Sequence, residues 1–106
     1  MLLTGVTVFG TDLASGQDYP NKPLRIVTGA AGGSLDFVAR IIAKGISGPL
    51  GQQVIIENRE VSFLSAEVTA KAPPNGYTMT VQSSTLWTIP LMREAPYDTV
   101  RDFAPI

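Results

Sequence analysis

Apolar residues along this chain follow two alternating periods. Leu24-Arg25-Ile26-Val27-Thr28, behind Pro20 and Pro23, is a short β-branched run of the kind that forms a buried strand. After Gly29-Ala30-Ala31-Gly32-Gly33 the period changes. Leu35, Val38, Ala39, Ile42 and Ile46 recur at offsets of three and four, which predicts a helix with Ser34 at its N-cap and this stripe toward the core. Gly45 and Gly48 weaken its second half by about 1 kcal/mol each relative to Ala, and Pro49 and Gly51 mark its end. Gln53-Val54-Ile55-Ile56-Glu57 reads as a second strand, Ser65 to Lys71 as a second helix, and Tyr77 to Gln82 as a third strand behind the Pro73-Pro74-Asn75-Gly76 turn. From Trp87 to Pro96 a short helix and a loop are expected.

This alternation gives an α/β chain of βαβαβ form, with parallel strands and helices packed on the sheet. Ligands of such sheets bind beyond the carboxyl ends of the strands. The functional loops are therefore placed at 29–34, 58–65 and 83–86.

Composition narrows the chemistry. The 106 residues are 44% hydrophobic and 16% charged, with a net charge of −1, so one core-forming domain is possible and disorder is not indicated. Eight Lys and Arg against nine Asp and Glu give no basic excess, which argues against a nucleic-acid partner. There is no cysteine and no histidine. Disulfides, zinc ribbons, thiol nucleophiles, Ser-His-Asp triads and histidine metal sites are excluded. No catalytic or metal-ligating set and no cofactor are expected. Backbone amides, hydroxyls and a few carboxylates remain, a chemistry of binding.

The glycine loop is the most informative segment. Gly32 and Gly33 allow close backbone approach, and the free N–H groups and dipole of the following helix attract an anion such as a carboxylate or phosphate. A tight strand-to-helix turn with no ligand explains the same residues. Asp36 complements the helix dipole, yet its charge would repel an anion seated on the amides unless water or a donor group intervenes. Ser83, Ser84 and Thr85 offer hydroxyls past the third strand, either to a carboxylate or as ordinary caps. Arg59 is a candidate cation near a bound acid, Arg25 is expected to emerge at a sheet edge, and Trp87 and Tyr97 to pack. A nucleotide reading places Glu57 on a ribose, but the spacing Gly29-x-x-Gly32-Gly33 is not GxGxxG and no P-loop occurs.

Residues 1–10 are apolar or small, and Ala14-Ser15-Gly16 has a small-x-small form, so 1–16 is a candidate partial signal peptide that lacks a basic n-region. A non-native N-terminus is the plain alternative. The end, Asp102-Phe103-Ala104-Pro105-Ile106, has the look of an interrupted strand.

Several segments in colinear order resemble one family. They are Tyr19-Pro20-x-Lys22-Pro23-Leu24-Arg25-Ile26-Val27, Gly32-Gly33-Ser34-x-Asp36, Leu50-Gly51-Gln52-x-Val54-x-x-Glu57-Asn58-Arg59, Pro74-Asn75-Gly76-Tyr77-Thr78 and Asp102-Phe103-Ala104-Pro105-Ile106. Together they are similar to the start of the tripartite tricarboxylate transporter substrate-binding proteins, the Bug-type family. The resemblance implies an incomplete, N-terminal portion of a type II periplasmic-binding-protein (Venus-flytrap) domain, with 17–106 forming part of its first lobe. It implies a monomeric periplasmic solute-binding component, not an enzyme, whose partners are a small carboxylate solute and membrane transporter subunits. The candidate ligand-binding residues are Ala31, Gly32, Gly33, Ser34 and Asp36 in the first loop, with Ser83 and Ser84 in the third.

The chain departs from that family at two loops and in a shortened stretch between Ser84 and Pro96. Thr28-Gly29-Ala30-Ala31 stands where the family carries Pro-Phe-Ala-Pro, which removes an aromatic wall and two rigid prolines. Glu60-Val61-Ser62-Phe63-Leu64 replaces a glycine-rich stretch and brings a negative charge toward the expected anion. With one jaw of the trap, weak or absent binding is expected. A phosphate- or nucleotide-binding Rossmann-like module and a remnant without ligand are the alternatives.

Overall fold

In the computed structural model, which describes residues 19–106, the candidate leader at 1–16 lies outside the described residues. The elements run β1 (Leu24–Thr28), α1 (Ser34–Leu50), β2 (Val54–Asn58), α2 (Ser62–Lys71), β3 (Thr78–Thr80) and α3 (Thr85–Met92). The strands form one parallel sheet in the order β2-β1-β3. Thr28 stands opposite Asn58, and Val27 opposite Thr80, so the carboxyl ends of all three strands share one edge. The chain leaves β1 for β2 on one side and returns to β3 on the other. Right-handed crossovers then put α1 and α2 on opposite faces. The loops after β1 and β3 diverge at this switch, the place where such sheets open a crevice.

Strand alternation sorts the core. Ile26 faces α1 and is buried with Ala39 and Ala43, with Val54, Ile56, Met79 and Val81 packed around them. Val27 points the other way and is buried on the α2 side, where Ser65 and Ala66 are buried too. Gly51 ends α1 in a left-handed conformation (φ 69°), its N–H donating to the carbonyls of Ser47 and Gly48 at 3.0 and 3.1 Å. Pro49, one residue before the end of the helix, has no N–H to donate to the Gly45 carbonyl, so the ladder loses a bond just before the cap.

Three expectations are corrected. The buried line of α1 runs through Asp36, Ala39 and Ala43, whereas Val38 and Ile42 of the expected stripe lie on its flank, 43% and 39% exposed. Alanines at 39 and 43 let the helix lie close to the sheet, and anchoring of Asp36 fixes its rotation. Arg25 does not emerge at an edge. It sits on the central strand, with Nη1 donating to Glu57 Oε1 at 2.6 Å and Nε to Thr78 Oγ1 at 3.2 Å. Trp87 is 58% exposed, because α3 is a short apolar helix with a face left uncovered by the described residues. Tyr97 does pack: it is buried, meets Phe103 edge-on at 5.8 Å, and donates from its hydroxyl to Leu86 O at 3.2 Å. The elements also shift at their ends, with α2 starting at Ser62 and β3 confined to Thr78–Thr80.

The two sides of α1 should respond differently to truncation. Ile26→Ala, beneath the helix, is expected to lower unfolding free energy by about 2–5 kcal/mol in urea denaturation. Phe37→Ser, at a position 67% exposed, should change it by less than about 0.5 kcal/mol.

Candidate functional site

The loop from β1 into α1 is built on two glycines. Gly32 adopts φ +84°, a left-handed conformation that L side chains rarely take. At Gly33 a Cβ would stand 3.2 Å from the Ala30 carbonyl oxygen, which accepts the Gly33 N–H at 3.1 Å. Gly33, not Ser34, is the N-cap of α1, with an extended backbone and no side-chain cap. The first helical bond is Phe37 N–H to Gly33 O at 3.0 Å. Helix geometry therefore leaves the N–H groups of Ser34, Leu35 and Asp36 without an intrahelical acceptor.

Asp36 has a different part from plain dipole stabilisation. Its carboxylate accepts from Gly32 N at 3.0 Å, from Asn58 Nδ2 at 2.9 Å and from Arg40 Nε at 3.1 Å. The same Asn58 amide donates to Gly29 O at 2.8 Å. These bonds join the glycine loop, the first turns of α1 and the end of β2. The Asn58 amide, the Gly32 N–H and Arg40 hold the Asp36 carboxyl down at about 2, against a mild upward push from burial. Two consequences follow for an anion. The Gly32 and Gly33 amides are engaged internally, so the free donors are those of the helix turn itself. The Asp36 charge is compensated by Arg40, which weakens the repulsion that its position suggests.

A cavity of about 220 Å³ opens in front of this turn, lined by Gly29, Ala30, Gly33, Ser34, Leu35 and Glu60. Of the residues singled out in sequence, Gly33 and Ser34 line it. Ala31 and Gly32 belong to the same loop and Asp36 lies behind it, outside the lining. Ser83 and Ser84 are exposed and do not line the cavity. They open α3 instead: Ser83 Oγ and Thr85 Oγ1 are hydrogen-bonded at 2.9 Å, and the Ser83 carbonyl accepts from Leu86 N at 3.1 Å.

Arg59 is not a free cation for a bound acid. Its guanidinium is paired with Glu57 Oε2, while its backbone N–H joins Thr28 O at 2.9 Å. Burial pushes the Glu57 carboxyl up, but Arg25 and Arg59 outweigh it and hold the group below its ordinary range. A carboxylate so engaged is not available to a ribose. Asn58 and Arg40 were the residues without an assigned role in sequence. A polar amide closing an apolar strand, beside a glycine loop, was the signal for the first of them. A second depression of about 280 Å³ lies at the amino ends of the strands, with Lys22, Arg25 and Tyr77 in its walls, far from the glycine loop.

Comparison with known proteins places this geometry among relatives. Residues 38–106 match the model of the tripartite tricarboxylate transporter family receptor. A UPF0065 protein of Bordetella bronchiseptica is 38% identical over 98 residues, spanning 88% of this chain and 29% of that protein. The periplasmic binding protein BugD superposes with a TM-score of 0.76 at 33% identity, over 83% of this chain and 31% of BugD. The R. palustris protein Rpa4515, solved with adipate, gives a TM-score of 0.74 at 29% identity over 84% of this chain and 31% of that one. The chain thus spans about 30% of the length of the relatives it matches, and the βαβαβ sheet is the fold of periplasmic binding proteins over that share.

The Asp36 junction carries a pH signature. A carboxyl held at about 2 when folded, against its ordinary 3.8, contributes stability that is present above the ordinary value and lost as pH falls toward 2. The urea midpoint of the native chain should therefore fall more between about pH 5 and pH 2 than that of Asp36→Asn, which has no proton to take up there. Equal falls would remove Asp36 from this role.

Proposed function

The chain belongs to the tripartite tricarboxylate transporter family of receptors, and we propose that it forms part of the ligand-contacting lobe of a periplasmic solute-binding protein for small carboxylates. The observation that carries this reading is the uncapped start of α1, where Ser34 and Leu35, whose N–H groups have no intrahelical acceptor, line the same depression as Gly33 and Glu60. An oxyanion there accepts from those amides directly or through a bridging water, aided by the helix dipole. The adipate of the Rpa4515 structure supports a carboxylate as the guest class.

In this reading the left-handed turn at Gly32 holds the backbone back from the solute, and Asp36 fixes the turn without presenting an uncompensated charge. The walls that surround a solute on its other sides belong to the remaining length of a family-sized protein, and hinge closure over the solute would complete the trap. Periplasmic residence and delivery to membrane transporter subunits are part of the same proposal. The role proposed is capture of a solute rather than catalysis, in keeping with the receptor family that residues 38–106 match. The occupied Glu57 speaks against the nucleotide alternative.

Because tight sites bury about 70–90% of their ligand, the chain by itself should bind weakly. Titrating the ¹⁵N-labelled chain with adipate should move the amide signals of Ser34 and Leu35 with a dissociation constant of about 1 mM or weaker. Signals unmoved by adipate and by 6-aminohexanoate alike would overturn the carboxylate seat, and a micromolar constant would overturn the need for a second wall. ATP and NAD should leave the thermal midpoint unchanged.

A further inference from the structure

Three carboxylates stand at or near the carboxyl edge of the sheet, and they differ in company. Asp36 is paired with Arg40 at 3.1 Å, and Glu57 is held between Arg25 and Arg59. Glu60 has no cationic partner among the described residues. Its neighbour Arg59 is turned to Glu57, and Arg93, on the loop after α3, lies over the Phe63 ring at 5.2 Å. Yet Glu60 shares the cavity wall with Ser34 and Leu35. The depression therefore combines donors for an anion, at the start of α1, with a carboxylate on its wall that has no cationic partner among the described residues.

We infer that Glu60 is a specificity-determining residue: it favours solutes that carry a cationic or hydrogen-bond-donating nitrogen in addition to their carboxylate, and disfavours dicarboxylates. The inference rests on the carboxylate seat proposed above and refines the class of guest. A dicarboxylate seated on the α1 amides brings its second charge toward Glu60, and like charges facing each other in a recess are penalised. An ammonium group in the same place is attracted instead. Exposure of Glu60 to solvent keeps the effect moderate and dependent on salt.

Two matched pairs test this on the full chain by the same amide titration: adipate against 6-aminohexanoate, and succinate against 4-aminobutyrate. In the pair that binds more tightly, the amino acid should bind roughly threefold or more tighter than the diacid at low ionic strength. Glu60→Gln should bring that ratio close to one, and added salt should shrink it in the native chain. Equal binding of both members, a preference for the diacid, or a ratio unchanged in Glu60→Gln overturns the role of Glu60 while leaving the seat intact. If no ligand moves the Ser34 and Leu35 signals, the seat itself fails and the inference falls with it.

Discussion

The carboxylate of Asp36 is the fastening on which the working end of this chain depends. It receives a backbone N–H from the glycine loop, a side-chain amide from the end of β2 and a guanidinium from the next turn of its own helix. The carboxylate has little exposure to water, and its donors leave it well supplied with hydrogen bonds, as a sheltered charge requires. Without this fastening, Ala30 to Gly33 would be an exposed run of small residues with little to define its path. With it, the turn has one geometry, and Ser34 and Leu35 at the start of α1 line one depression.

That arrangement also separates two kinds of donor. Amides of the glycine pair serve the protein itself, and amides of the helix turn are left over. The local charges follow the same division, since Asp36 and Glu57 are neutralised by arginines and Glu60 has no such partner among the described residues. Membership in the receptor family gives this division a functional sense. In the reading proposed above, a loop that takes a solute has to be stiff before its ligand arrives, so that little ordering entropy is lost on capture.

Much of the architecture was legible in the sequence because period and punctuation agreed. The β-branched run of β1, the glycine loop and the Gly51 cap each mark a boundary by a local rule, and the βαβαβ order followed from them. The rotation of α1 was not legible. Periodicity favours the bulkiest stripe, Val38 and Ile42, whereas close packing and the Asp36 fastening select Ala39 and Ala43. Arg25 and Arg59 were misplaced for a related reason, because their partner Glu57 is brought beside Arg25 only by the register of β1 and β2. Within the candidate site, the glycines and Ser34 were visible as a motif. The engagement of Gly32 by Asp36 was not, being a contact that forms only when the helix start folds back on the loop.

The most direct test follows the backbone amide of Gly32 while pH is lowered from neutrality. If its N–H is hydrogen-bonded to the Asp36 carboxylate, its proton resonance should move as that carboxyl titrates, with a midpoint near 2. A Gly32 signal that stays fixed, or that titrates at the ordinary aspartate value near 3.8, would contradict the account.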